Sequence, residues 1–221
     1  MDDPNTRPLD EIPDDDRTAL RRDQLSAVVL AGGRSRRMGR PKPWLPLAGV
    51  PLLAAVVARV RPLVSEIVVV AAAGHELPAC EARMLYDPEP NLGPLPALAL
   101  GLDAVRTSHA FALGCDAPFV RRAVLRLLTR EIGDLDGAVP LWGDRLQPLV
   151  ALYHRRLAPT LATMASAGER RLQAVAALPR VATVSAERLR LVDPEGISFR
   201  TLNTPEDYAA ACAASSDVLD E

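Results

Sequence analysis

A Rossmann-like fold, a three-layer α/β/α sandwich on a mostly parallel sheet, is what these 221 residues predict. Three observations carry that expectation. Short apolar runs near residues 25–30, 66–71, 83–86 and 110–115 alternate with helical patterns, the order of a doubly wound sheet. The first run opens straight into a loop holding Gly32, Gly33 and Gly39 together with Arg34, Arg36, Arg37, Arg40 and Lys42. Carboxylates, Asp87 and Asp116, stand at the tips of two later runs.

Taken in order, residues 1–24 carry eight acids, four arginines and three prolines, and read as a disordered acidic tail. Residues 25–30 form a buried strand. After the basic loop, 45–47 suit a short strand and Ala48-Gly49 a turn. Pro51 starts a helix over 52–61, because its fixed φ suits a first helical position. Residues 66–71 are a second strand, rich in β-branched side chains. Residues 83–86 are a third, with Asp87 at its end. The turn-rich segment 88–96 feeds a helix over 97–106. The strand 110–115 ends at Asp116. Pro118 then opens a helix with Val120, Val124, Leu127 and Leu128 on one face. Further strands are expected at 137–141, 146–153 and 181–184, and helices over 157–167 and from 168. Thr204, Pro205 and Asp207 spell the N-cap, first and third positions of a last helix. Residues 214–221 read as a second tail, leaving 25–213 as one domain. Right-handed crossovers bring the C-terminal ends of the parallel strands to one edge.

Composition narrows the function classes. Apolar residues are 48% of the chain but aromatics only 4%, so the core is built from Ala, Leu and Val. No apolar run is long enough for a membrane span, and residues 1–24 have no signal-peptide h-region. Three scattered cysteines suit a reducing cytoplasm better than a disulfide framework. The net charge is −2, with −4 on residues 1–24 and +2 on the rest. That body has no basic stripe for nucleic acid; its charge concentrates in one loop, which suits a small anion.

The loop chemistry is specific. A glycine-rich cationic loop at the end of a first parallel strand is where α/β proteins place phosphates. It is neither a Walker loop nor G-x-G-x-x-G. Lys42 and Arg37 are candidate phosphate contacts, able to stabilise charge on a transferring phosphoryl group and a pyrophosphate leaving group. Asp116, in Gly114-Cys115-Asp116-Ala117-Pro118-Phe119, is either a ligand for Mg²⁺ or an N-cap for the helix that follows. Asp87, before Pro88, is either a base contact or an Asx-type turn. His75, His109 and His154 are too separated in sequence to suggest a metal site. Cys115 reads as a small buried apolar residue, and Ser35 has no accompanying base.

Leu30-Ala31-Gly32-Gly33-x-Ser35-x-Arg37-Met38-Gly39-x-x-Lys42 resembles the signature of the MobA-like nucleotidyltransferases that modify molybdopterin. The Gly-Gly form resembles their guanylyltransferase members in particular. Cys115-Asp116-x-Pro118-Phe119 is similar to the family's metal-binding motif. Asp87 before Gly93-Pro94-Leu95 is similar to its guanine-contacting aspartate. Later stretches resemble the acceptor side: Asp144-Arg145-Leu146-Gln147-Pro148-Leu149, Gly168-Glu169-Arg170-Arg171-Leu172 and Leu202-Asn203-Thr204-Pro205-Glu206-Asp207. Pro41 stands where family members commonly carry Asp, and one of two familiar asparagines remains.

The resemblance implies a nucleotide-diphospho-sugar transferase-like fold, with 25–130 as the nucleotide-binding half and 131–213 as the acceptor-binding half. It implies Mg²⁺-dependent transfer of GMP from GTP to molybdopterin. Arg37, Lys42 and Asp116 would be catalytic, with Asp116 the metal ligand. Leu30, Ala31, Gly32, Gly33, Lys42, Asp87 and Asp116 would bind the nucleotide. Arg170, Arg171 and Asn203 would bind the acceptor. Handover of the product to molybdoenzymes or other cofactor-biosynthesis proteins is the expected partnership, with neither nucleic acid nor membrane involved. The alternatives are a cytidylyltransferase of the same cofactor, a sugar-phosphate nucleotidyltransferase, and a non-catalytic nucleotide binder.

Overall fold

A computed structural model describes residues 19–32, 41–87 and 93–218, with side chains to residue 213. In chain order its elements are β1 (Leu25–Leu30), the hairpin β2 (Pro46–Leu47) and β3 (Val50–Pro51), α1 (Leu52–Val60), β4 (Glu66–Ala72), β5 (Arg83–Asp87), α2 (Pro94–Ala104), β6 (His109–Gly114), α3 (Arg122–Glu131), β7 (Gly137–Trp142), β8 (Arg145–Leu146), β9 (Val150–His154), α4 (Ala158–Ser166), β10 (Val181–Val184), α5 (Ala186–Arg190) and α6 (Pro205–Val218).

The central sheet runs β10-β7-β9-β6-β1-β4-β5, with β8 paired to β7. Its β6-β1-β4-β5 end is parallel throughout. Only β9 reverses direction along that path, pairing antiparallel with both β6 and β7. β1 is buried at every position because parallel strands lie beneath helices on both faces. Alternation along it sorts the layers. Ala27 and Val29 join a cluster with α1, α3 and α5, whereas Val28 and Leu30 join a cluster with α2 and α4. A small third cluster holds Leu47, Leu52, Phe119, Leu202 and Ala211, and ties α6 to the hairpin. The three-layer sandwich is therefore as expected.

The parallel strands give the switch geometry of α/β sheets. From β1 the chain moves outward to β4 and β5, then crosses back to β6 on the other side of β1. A ligand crevice opens where the winding reverses, beyond the carboxyl ends of the two adjacent strands. Here those are β1 and β6.

Several local expectations are corrected. Pro118 does not open a helix: residues 117–120 form a turn, and α3 starts at Arg122 with Arg121 as its N-cap. The expected strand over 146–153 is split into β8 and β9 around Pro148, which has no N–H for a ladder. The helix expected from residue 168 is a 3₁₀ segment, Leu172–Ala177. At the amino end, a 3₁₀ turn (Arg22–Gln24) and Leu20, packed on the core, lie within the stretch expected to be a tail. At the carboxyl end, α6 continues past residue 213. Residues 1–18 and 219–221 lie outside the described residues.

Candidate active site

The first strand ends on a fixed track. The Leu30 carbonyl accepts from Cys115 N–H at 3.1 Å, and Ala31 N–H donates to the Val70 carbonyl at 2.8 Å. Leu30 and Ala31 are buried and Gly32 is exposed, so the chain surfaces at the crevice itself. Gly33, Arg34, Arg36, Arg37 and Arg40 lie outside the described residues. The chain resumes with Pro41 and a 3₁₀ turn, Lys42–Trp44. Trp44 anchors that turn by donating its indole N–H to the Glu76 carbonyl at 3.0 Å.

Three residues distant in sequence meet there. The Lys42 ammonium donates to Asp116 Oδ2 at 2.9 Å and to Asn203 Oδ1 at 2.7 Å. The Lys42 and Asp116 side chains keep 15% and 23% of their exposure, so the pair is sheltered yet open to a ligand. Asp116 follows β6 in a turn closed by Ala117 N–H to the Gly114 carbonyl, and its own carbonyl accepts from Leu202 N–H. That last bond joins the α6 entry to the tip of β6. Because Arg121 caps α3, the N-cap reading of Asp116 falls.

Gly114 makes room for the carboxylate, a role not apparent from sequence. A Cβ at Gly114 would lie 2.5 Å from Asp116 Oδ1. Asn203 is held just as closely. Its amide N–H₂ donates to Thr201 Oγ1 at 2.7 Å, and its backbone N–H donates to Asp207 Oδ2 at 3.0 Å. Asp207 also accepts from Thr204 N–H, while Thr204 Oγ1 accepts from Asp207 N–H. This is the expected capping box, and its backbone donors hold the Asp207 carboxyl below the usual range. Cys115 is fully enclosed. Burial, then the neighbouring Asp116 charge, pushes its thiol up to about 12, which rules it out as a thiolate nucleophile at neutral pH.

Asp87 is the last residue of β5, paired with Ala72, and its carbonyl accepts from Ala73 N–H. It shares the carboxyl edge of the sheet with Asp116, three strand spacings away, or about 14 Å at about 4.8 Å each. Arg170 and Arg171 follow α4 at the same edge. A Cβ at Gly93, whose φ is +93°, would lie 3.2 Å from the Arg170 carbonyl oxygen, so this loop abuts the start of α2. Arg170 donates to the Ala165 and Glu169 carbonyls and lines a cavity of about 760 Å³ between α2 and α4. Arg171 is committed to Glu169, with N–O distances of 3.1 and 3.2 Å. Its guanidinium, with two backbone N–H groups, brings the Glu169 carboxyl down to about 2. The contacts therefore join Lys42, Asp116 and Asn203 directly, whereas Arg170 and Arg171 occupy a separate part of the edge.

Among the described residues no group of three metal-ligating side chains gathers. A site for a hard cation does not need one: Mg²⁺ keeps several waters and takes one or two carboxylates plus substrate phosphates. The carboxylate of Asp116 and the amide oxygen of Asn203 already hold a cation, the Lys42 ammonium, so the donor chemistry fits.

The chain is 38% identical over 191 residues, 83% of its length and 91% of the relative's, to a probable molybdenum cofactor guanylyltransferase of Chloroflexus aggregans. The fold is similar to the crystal structure of molybdopterin-guanine dinucleotide biosynthesis protein A from Archaeoglobus fulgidus, with a TM-score of 0.73 and 27% identity over 86% of this chain and 98% of that one. It is also similar to a Mycobacterium tuberculosis protein solved in complex with manganese, with a TM-score of 0.61 and 18% identity over 86% and 99% of the two chains. The MobA-like NTP transferase domain is matched by residues 27–184, and with these relatives the match shows that the chain belongs to that family.

Proposed function

We propose that this protein transfers GMP from GTP to molybdopterin, forming the guanine dinucleotide of the molybdenum cofactor and releasing pyrophosphate. The observation that carries the reading is the contact of Lys42 with Asp116 at the β1/β6 crevice of a MobA-like chain. The terminal phosphate of molybdopterin attacks the α-phosphorus of GTP in line. A new P–O bond forms as the α–β bridge bond breaks, and the electron pair leaves with pyrophosphate. The protein contributes position and charge and forms no covalent intermediate.

In this reading Gly32 and Gly33 belong to the loop that binds the triphosphate, and Lys42 and Arg37 serve its phosphates. Asp87 lies at the far end of the same edge, in reach of a base when the phosphates sit at Asp116. A carboxylate there accepts from guanine N1–H and the 2-amino group together, a pair that adenine lacks. Asp116 would hold the metal, Mg²⁺, which would neutralise phosphate charge. Asn203 belongs to the acceptor side, and Arg170 offers its guanidinium to an acceptor phosphate. Arg171 does so after yielding Glu169. The free cysteines, Cys80, Cys115 and Cys212, suit work in a reducing cytoplasm, and delivery of the product to molybdoenzymes follows from the reaction. Among the described residues no helix is long and apolar enough to cross a membrane.

The test is pyrophosphate release with each of the four NTPs in the presence of molybdopterin and Mg²⁺. GTP-dependent release is expected. A preference for CTP overturns the guanylyl reading in favour of a cytidylyltransferase, and release from none of them favours a nucleotide binder. Asp116→Ala abolishes transfer if Asp116 holds the metal; undiminished turnover refutes that role.

A further inference from the structure

Lys42 is the single lysine of the chain; the other 25 of its 26 lysine and arginine residues are arginine. It sits where a compact point charge differs most from a planar fork. Its ammonium lies between two oxygens from different elements, Asp116 Oδ2 at 2.9 Å and Asn203 Oδ1 at 2.7 Å. An ammonium on a four-carbon stem can satisfy both and then swing away, which a guanidinium with fixed donor geometry does poorly. Each oxygen is delivered by a structured segment. Asp116 is set by the turn after β6 and by the space at Gly114. Asn203 is set by Thr201 Oγ1 and by the capping box of α6. Two oxygens from different elements therefore hold one movable cation.

We propose that Lys42 is the resting counter-cation of the Asp116–Asn203 seat, and that a divalent cation gains Asp116 only by displacing it. The inference rests on the nucleotidyl-transfer reading of the site. Displacement frees the ammonium for the incoming phosphates, so metal entry and lysine release are one exchange. Asn203 is then a positioning residue for Lys42 in addition to its place on the acceptor side. Without nucleotide the exchange opposes metal binding. With nucleotide the phosphates receive the lysine, and the same carboxylate binds the metal more tightly.

A single lysine makes the exchange directly visible. Protein grown with ¹³C-labelled lysine gives one set of side-chain methylene signals, observed during titration with MgCl₂ alone. Mn²⁺ binding is measured alongside by electron paramagnetic resonance on the wild type, Lys42→Met and Asp116→Asn. The lysine signal of the wild type should move with Mg²⁺ toward its position in metal-free Asp116→Asn. Lys42→Met should bind Mn²⁺ about tenfold more tightly than wild type, the scale of one charged hydrogen bond. Equal Mn²⁺ affinity in wild type and Lys42→Met, or a lysine signal that stays in place while metal binds, overturns the exchange. The wild-type titration decides the matter even if Lys42→Met fails to fold. GTP-dependent transfer with a stationary lysine sinks the exchange and leaves the reaction; a displaced lysine without transfer does the reverse.

Discussion

Gly114→Ala places one methyl group where the structure has no room for it. Its Cβ would lie 2.5 Å from Asp116 Oδ1 and 3.7 Å from Leu149 Cδ1. The second distance is ordinary contact, so the collision is with the carboxylate alone. A carbon and a carboxylate oxygen need about 3.4 Å or more, close to the 3.5–4.0 Å of optimal non-bonded contact. Asp116 must then move by about 1 Å. Such a shift takes the carboxylate off the position at which Lys42 meets it at 2.9 Å. Displacement of a reacting group by about 1 Å can cost about 10²-fold in rate. Stability should barely change. The φ of Gly114 is not in the left-handed region, and Gly→Ala at a compatible position gains about 0.4–1 kcal/mol through the unfolded chain. Asp116 gives way at similar cost. The assay is pyrophosphate release from GTP and molybdopterin, paired with a thermal melt. The expected result is turnover about 10²-fold down with Tm within about 4 °C of wild type, the shift that 1 kcal/mol produces in a chain of this size. Wild-type turnover in Gly114→Ala would refute the reasoning, because the carboxylate would not have to sit where the structure puts it.

Other perturbations test the frame. His109 is buried against the His154 ring, centroids 4.6 Å apart. Burial first, then His154 and Arg156, lower its imidazole to about 4 from an ordinary value near 6.5. A depressed pKa favours the neutral ring in the fold. The contribution is therefore present above about pH 6.5 and lost as pH falls toward 4, with a full effect of about 3 kcal/mol. His109→Gln should flatten denaturant-measured stability across that window, and an unchanged slope counts against it. Gly196, with φ of +63°, lies against the Trp142 indole, which stacks on Phe199 at 5.4 Å. Gly196→Ala should cost about 2–4 kcal/mol from left-handed strain and overpacking. Tryptophan fluorescence during urea unfolding reads that loss, and an unshifted midpoint excludes it.

The fold was legible because its signals are local. Buried parallel strands demand continuous apolar runs, and 25–30 and 66–71 are such runs. The capping box at Thr204 and Asp207 was likewise readable, since both partners lie within one turn. Pro118 misled because proline is common at a helix start, yet here it belongs to the turn that sets Asp116 beside the crevice. The short α5 left no expectation at all, being a single capped turn whose Leu189 is buried by tertiary packing.

By itself the sequence determined the layers, the glycine-rich cationic loop, the two strand-tip carboxylates and the family signature. These depend on residue type and near-neighbour spacing, which the chain carries explicitly. Only the tertiary structure decided that Lys42, Asp116 and Asn203 share one contact. The reason is physical. Contacts across 74 and 161 residues are set by how β6 and α6 pack around β1, and no periodicity or spacing in the chain encodes a distance of that kind.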